Sequence, residues 1–165
     1  MAEQEGSRSA RPRGPDSIDL SILHILRDEG RIPVADLAER VHISRANGYS
    51  RLERLQKLKV LEGFSARIDS RQLGLKLAAI VRLNCEHKHW RGIIDALGKV
   101  EAIEYAGLMT GETDVLALVK VVDMDDLTRL LLEELQSIEG VISSQTDLVL
   151  REVVRRAAVL PKKPK

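Results

Sequence analysis

The residues of this chain best suited to molecular recognition lie in one short stretch. Between positions 44 and 59, Ser44, Arg45, Asn47, Ser50, Arg51 and Arg54 share a segment with five bases (Arg45, Arg51, Arg54, Lys57, Lys59) against Glu53 alone. An Arg fork matches guanine O6 and N7, and an Asn amide matches adenine. Arg and Lys also grip phosphate oxygens, which positions a protein on DNA without specifying sequence. By residue type alone, a basic helix face is equally at home in solvent. A second group, Cys85-x-His87-x-His89, has zinc-type ligands. It lacks a fourth ligand nearby and stands where a strand gives way to a helix, so it reads as a surface loop, and no metal is expected. His24 and His42 read as lone packing or surface residues. The last fifteen residues, 151–165, carry six bases against Glu152. They read as a solvated tail, or as one that touches nucleic-acid phosphates. There is no G-x-S-x-G, P-loop, G-x-G-x-x-G or H-E-x-x-H pattern, so neither an enzyme nor a cofactor is expected.

Composition sets the frame for these groups. The chain has 165 residues, 44% apolar and 31% charged, the mix of a folded protein of one or two small domains. Its net charge of +1 is a cancellation, because the basic stretches at 44–59 and 151–165 are local. Only four aromatic residues are present, which argues against base-stacking nucleic-acid platforms. No run of 18 apolar residues is present, the first 15 residues lack a signal-type apolar stretch, and Cys85 has no disulfide partner. Together these read as an intracellular, cytoplasmic protein.

The elements that must position the basic segment are short helices. Asp16 or Ser17 can cap a helix whose face is Ile18, Ile22, Ile25 and Leu26, ended by Gly30. Pro33 opens a second helix with Leu37, Ala38 and Val41 on its apolar side. Ser44 caps a third, in which Leu52, Leu55 and Leu58 point inward and Gly48 allows close packing, at a cost of about 1 kcal/mol in helix propensity. Asn47, Ser50, Arg51 and Arg54 then fall on the opposite face. Three helices with a four-residue turn before the basic one fit a helix-turn-helix, and 60–69 alternates enough to form an extended wing or linker strand. From Leu77 the order changes to strand (77–84), helix (89–100), strand (103–109), strand (114–122), helix (124–138) and strand (141–154). That order predicts a ferredoxin-like βαββαβ fold, an antiparallel four-stranded sheet with two helices on one face. The other face needs cover, and a second copy of the chain is the economical solution.

The chain resembles the Lrp/AsnC family of transcription regulators in four stretches. They are the opening from Asp19-Leu20-Ser21-Ile22-Leu23 to Gly30-Arg31, the segment DLAERVHISRANGYSRLERLQKLKVLEGF, the linker FSARIDSRQLGL, and GLMTGETDVLALVKVVDMDDL with its G-x-x-D turn at Gly111 and Asp114. The resemblance covers 16–156. It departs where the family often has Gly after the recognition helix: Lys59 stands here, so a helix C-cap is expected to be lost. Arg45-Ala46-Asn47 is also atypical and should alter the DNA sequence that is read.

Composition reads 1–15, rich in Gly, Ser, Pro and Arg, as a disordered tail and 157–165 as a basic tail, and the resemblance implies an α+β chain with a winged helix-turn-helix at 16–62, a linker at 63–76 and an effector-sensing and oligomerisation domain at 77–156. It implies a homodimer assembling to a tetramer or octamer on a palindromic double-stranded operator. It also implies an amino-acid effector at a dimer–dimer interface around Thr110, Gly111, Glu112, Thr113 and Asp114, with Ser144 and Thr146 at hydroxyl positions of that pocket. Backbone amides would take the α-carboxylate and Asp114 the α-amino group. The competing reading is a metabolite-sensing or oligomerisation module whose helices bind protein. The base-rich, acid-poor segment 45–59 favours DNA over it.

Overall fold

The structure, a computed structural model, describes residues 14–154 and 158–162. They divide into two compact units, one formed by residues up to Ala66 together with 158–162 and the other by Arg67–Val154.

The first unit is built on three helices, α1 (Ser17–Asp28), α2 (Val34–Arg40) and α3 (Arg45–Lys57). Asp16 caps α1 with a capping box: its carboxylate accepts from the Asp19 N–H, and the Asp19 carboxylate accepts from the Asp16 N–H. The helix ends on Glu29 as C-cap, one residue before the expected Gly30, since the Glu29 N–H still reaches the Ile25 carbonyl. Ile22, Leu23, Leu26, Leu37 and Leu55 form the buried core, with Ile18, Ile25, Val41, Ile43, Leu52 and Leu61 packed around it. Gly48 lies where α2 and α3 touch. A Cβ there would sit 3.2 Å from Val34 Cγ1 and 3.4 Å from Ala38 Cβ, so the missing side chain is what lets the two helices approach.

Both turns of this unit solve the helix-ending problem the same way. After α2, His42 takes φ +56°, its N–H reaches the Glu39 carbonyl, and the Ile43 N–H reaches the Ala38 carbonyl. After α3, Lys59 takes φ +54°, its N–H reaches the Gln56 carbonyl, and the Val60 N–H reaches the Leu55 carbonyl. This is the paired bonding of a Schellman cap. The C-cap expected to be lost with Lys59 is therefore retained, with a non-glycine residue held in left-handed backbone.

Three further expectations fail in informative ways. The wing is absent: 60–69 holds no strand, because no neighbouring strand offers it a ladder, and Phe64 and Ile68 stand exposed. The final strand stops at Leu148 instead of running to 154, because its partner strand begins at Leu77 and only the Val149 N–H finds a further bond, to the Ala78 carbonyl. The basic tail is not simply solvated: Leu160 packs against the helical core, and the Pro161 carbonyl lies 2.9 Å from His24 Nε2.

In the second unit, β1 (Leu77–Cys85), β2 (Ile103–Leu108), β3 (Val115–Val121) and β4 (Val141–Leu148) form one antiparallel sheet in the order β2-β3-β1-β4. Helix α4 (Trp90–Leu97) and helix α5 (Met124–Arg129) cover one face. The core is Ala79, Val81, Leu83, Val115, Ala117, Val119 and Val121 from the sheet, against Ile93, Leu97, Leu127, Leu130 and Leu135. Helix α5 continues as a π-helix over Leu130–Leu135. Leu130 and Leu135 are both buried although five residues apart. On a regular helix, at about 100° per residue, they would point about 140° apart. The wider turn brings both to the sheet. Alternation places Ile80, Leu116, Leu118 and Tyr105 on the opposite face. That face also carries the Arg82–Asp147 pair (2.6 Å) and Lys120, which holds Glu104 (2.8 Å) and Glu152 (3.0 Å).

Candidate nucleic-acid interface

Helix α3 begins at Ser44, whose hydroxyl accepts from the Asn47 N–H at 3.2 Å. That satisfies an otherwise unbonded amide of the first turn. Gly48 and Leu55 are buried, while Arg45, Ala46, Asn47, Tyr49, Ser50 and Glu53 are exposed. The face turned to solvent therefore starts at the first turn of the helix, the part that reaches base edges when such a helix enters a major groove.

The basic residues on this helix do not all face outward. Arg51 is only 17% exposed. Its Nη1 donates to both oxygens of Asp16 and to Asp19 Oδ1, all at 2.8 Å, and its Nε donates to Asn47 Oδ1 at 3.1 Å. Arg54 donates to Asp19 and lies 3.9 Å from Asp16. Asp19 is fully buried, and α1 thus closes over two of the three arginines. Burial acts to raise the Asp16 pKa, but the Arg51 hydrogen bond and the amides of Asp19 and Ile18 outweigh it and hold the carboxyl below its ordinary value. Lys57 is paired with Glu53 at 2.6 Å. Arg45 is the exception: its guanidinium lies 5.7 Å from the centre of the Tyr49 ring.

The second candidate site is the turn between β2 and β3. The Met109 N–H reaches the Asp114 carbonyl and closes it, with Thr110, Gly111 and Glu112 exposed and Thr113 half-buried. Gly111 has φ +149°, which a side chain would strain. Asp114 is already engaged, since its Oδ2 accepts from the Cys85 N–H at 2.7 Å. Burial first, and the Asp114 carboxylate second, push the Cys85 thiol above its ordinary pKa. Ser144 and Thr146 pair with Leu83 and Val81 across β1, and Ser144 accepts from Gln136 Nε2 at 2.8 Å. Leu83 pairs in turn with Val115, so β1 separates Ser144 from the turn by two strand spacings, about 10 Å. A single chain does not bring Asp114 and these two hydroxyls onto one small molecule.

Known proteins share both halves of this architecture. Residues 16–56 match the AsnC-type helix-turn-helix domain, and residues 78–159 match the Lrp/AsnC ligand binding domain. The regulator AldR of Mycolicibacterium smegmatis is 30% identical over 149 residues, which are 88% of this chain and 87% of that protein. The chain belongs to the Lrp/AsnC family. The leucine-responsive regulatory protein of Rhizobium meliloti is 29% identical, covering 84% of this chain and 90% of that protein. A transcriptional regulator of Neisseria meningitidis, solved as a complex with L-Met, superposes with TM-score 0.84 at 26% identity, over 88% of this chain and 96% of that one. This Lrp/AsnC protein is a DNA-binding transcriptional regulator of the helix-turn-helix type, and its α+β architecture is that of the family.

For this Lrp/AsnC regulator, sequence reasoning overlooked Asp16, Asp19 and Tyr49. The signal for the acids was present as matched spacing. Asp16-x-x-Asp19 and Arg51-x-x-Arg54 each place two charges one turn apart on one face, with opposite sign. Tyr49 carried no signal beyond being one of four aromatics. The Cys85, His87 and His89 group does not converge: Cys85 is buried, His87–His89 form a short 3₁₀ turn, and no cluster of metal-binding side chains occurs among the described residues. No helix among the described residues is long and apolar enough to cross a membrane.

Proposed function

We propose that two copies of this regulator pair through the uncovered faces of their sheets and set two α3 helices into successive major grooves of a palindromic operator. The half-sites would then lie about 34 Å apart, or a multiple of that. The observation that carries this reading is the exposed first turn of α3, with Arg45 outward above a packed Gly48–Leu55 face. The apolar Ile80, Leu116, Leu118 and Tyr105 on the second sheet face support pairing, with further assembly to tetramers or octamers.

An amino acid or a similar small molecule is the effector, bound at the Thr110–Asp114 turn. The methionine in the Neisseria structure and the name of the Rhizobium relative support that class of ligand. In this chain the turn's backbone amides are better placed to bind than Asp114, whose carboxylate serves Cys85. The effector shifts assembly or affinity only by binding one assembly state more tightly than another. The protein acts in the cytoplasm and without catalysis or a cofactor.

The test is fluorescence anisotropy of a labelled duplex titrated at several salt concentrations. Affinity that falls linearly on a log–log plot supports the reading. Absence of duplex binding at about 50 mM salt, with helices and sheet intact, would replace it with a protein-binding module.

A further inference from the structure

Once intramolecular bonds are assigned, few residues of α3 are left to read bases, and two of them lie against each other. Ser44 is committed to its cap, and Arg51 to Asp16 and Asp19. Arg54 bonds Asp19, and Glu53 pairs with Lys57. Asn47 is partly committed: its Oδ1 accepts from Arg51 Nε, which leaves one lone pair of that oxygen and the NH2 group. Adenine recognition by an amide needs both, the oxygen accepting from N6–H and the nitrogen donating to N7. Asn47 so held keeps an acceptor and a donor, with its orientation set by Arg51.

Arg45, Tyr49 and Ser50 remain on the outward face, and Arg45 and Tyr49, one turn apart at its start, are the two that touch. The Tyr49 ring is 51% exposed, and the Arg45 guanidinium lies against it, with Nη2 3.5 Å from the phenol oxygen. A ring beside a guanidinium limits the rotamers of a flexible side chain and turns its planar fork outward. We infer that the Arg45–Tyr49 pair reads a guanine adjoining a thymine, the fork bonding guanine O6 and N7 and the ring packing on the thymine 5-methyl group. This rests on the proposed entry of α3 into the major groove and adds the base identity. The chemistry is that of the two groups: five donors and no acceptor on Arg45, and an apolar surface on Tyr49.

The experiment uses the full chain and its best duplex from a selection on randomised DNA, with analogues introduced one base at a time. Replacing the thymine by deoxyuridine removes only the methyl group. It should weaken the wild type about fourfold, the equivalent of one buried methyl group. Replacing the guanine by 7-deazaguanine removes only N7 and should weaken binding about tenfold or more. Tyr49→Ala should lose sensitivity to deoxyuridine and keep sensitivity to 7-deazaguanine. Arg45→Met, which removes every donor and keeps an unbranched side chain, should do the reverse. Both side chains are exposed, and circular dichroism should confirm that both variants fold.

The inference is overturned if no thymine or guanine of the half-site responds to its analogue in the wild type. It is overturned equally if the responses persist in the variants. In both cases salt-dependent duplex binding would remain, and the regulator reading would stand. Failure of the wild type to bind any duplex would overturn both.

Discussion

Arg51→Met separates a structural arginine from a DNA-binding one. Arg51 makes three bonds of 2.8 Å to Asp16 and Asp19 and a fourth to Asn47. Stripping a buried charge of all its partners costs about 3–5 kcal/mol. Here Arg54 still bonds Asp19, so the loss is nearer that of one hydrogen bond to a charged group, about 2 kcal/mol. At about 0.05–0.15 kcal/mol per residue, a unit of about 50 residues has only about 3–8 kcal/mol in all. In a unit that small, about 1 kcal/mol shifts Tm by roughly 4–8 °C, so the helical unit should melt about 8–16 °C lower. Thermal circular dichroism measures the shift, and hydrogen exchange of the α1 and α3 amides locates it. At a temperature where the variant is folded, its DNA affinity should keep the wild-type salt slope, because each phosphate contact adds about 0.9 to that slope and Arg51 makes none. Melting at the wild-type temperature, with a slope lower by about 0.9 per chain, would return Arg51 to the DNA.

Lys59→Gly and His42→Gly should each stabilise the helical unit by about 1 kcal/mol, read as a rise in Tm, because glycine carries no penalty at φ +54° or +56°. Leu160→Ala should lower the Tm of the same unit by about 1 kcal/mol equivalent, and removing 158–165 should do at least as much, since Leu160 packs on the helical core. The depressed pKa of Asp16 contributes to the acid limb. Its contribution is complete above the ordinary Asp value and is lost as pH falls through the lower folded-state value. Acid titration of helix content should therefore be shallower in Asp16→Asn than in wild type. Gly111→Ala should strain the β2–β3 turn by about 1–2 kcal/mol and weaken any effector response before it affects DNA binding, as differential scanning fluorimetry and anisotropy would show.

Periodicity located the elements because each unit buries one face. Ile18, Ile22, Ile25 and Leu26 recur at helical spacing in α1, and Leu52 and Leu55 in α3. In the sheet, Val81, Leu83, Ala117 and Val119 follow the pleat inward, while Ile80, Leu116 and Leu118 alternate with them on the other face. The missing wing and the shortened β4 were illegible because strand formation needs a partner, and partner length is a tertiary property. The π-helix was hidden in Leu130-Leu131-Leu132, a run that suits more than one helical period. At the site, residue type marked Arg51 and Arg54 for DNA, but their destination depended on Asp16 and Asp19, more than thirty residues away in sequence. Sequence distance likewise hid the use of the Asp114 carboxylate by Cys85. Lys59 misled because a rule favouring glycine was read as a requirement.

Selection from a randomised duplex library, with the full chain as bait, asks whether paired α3 helices read a palindromic operator. A two-fold symmetric sequence should be enriched, with half-sites centred one helical turn apart, or a whole number of turns. Recovery of unenriched DNA, or of none, from a folded protein would contradict that reading.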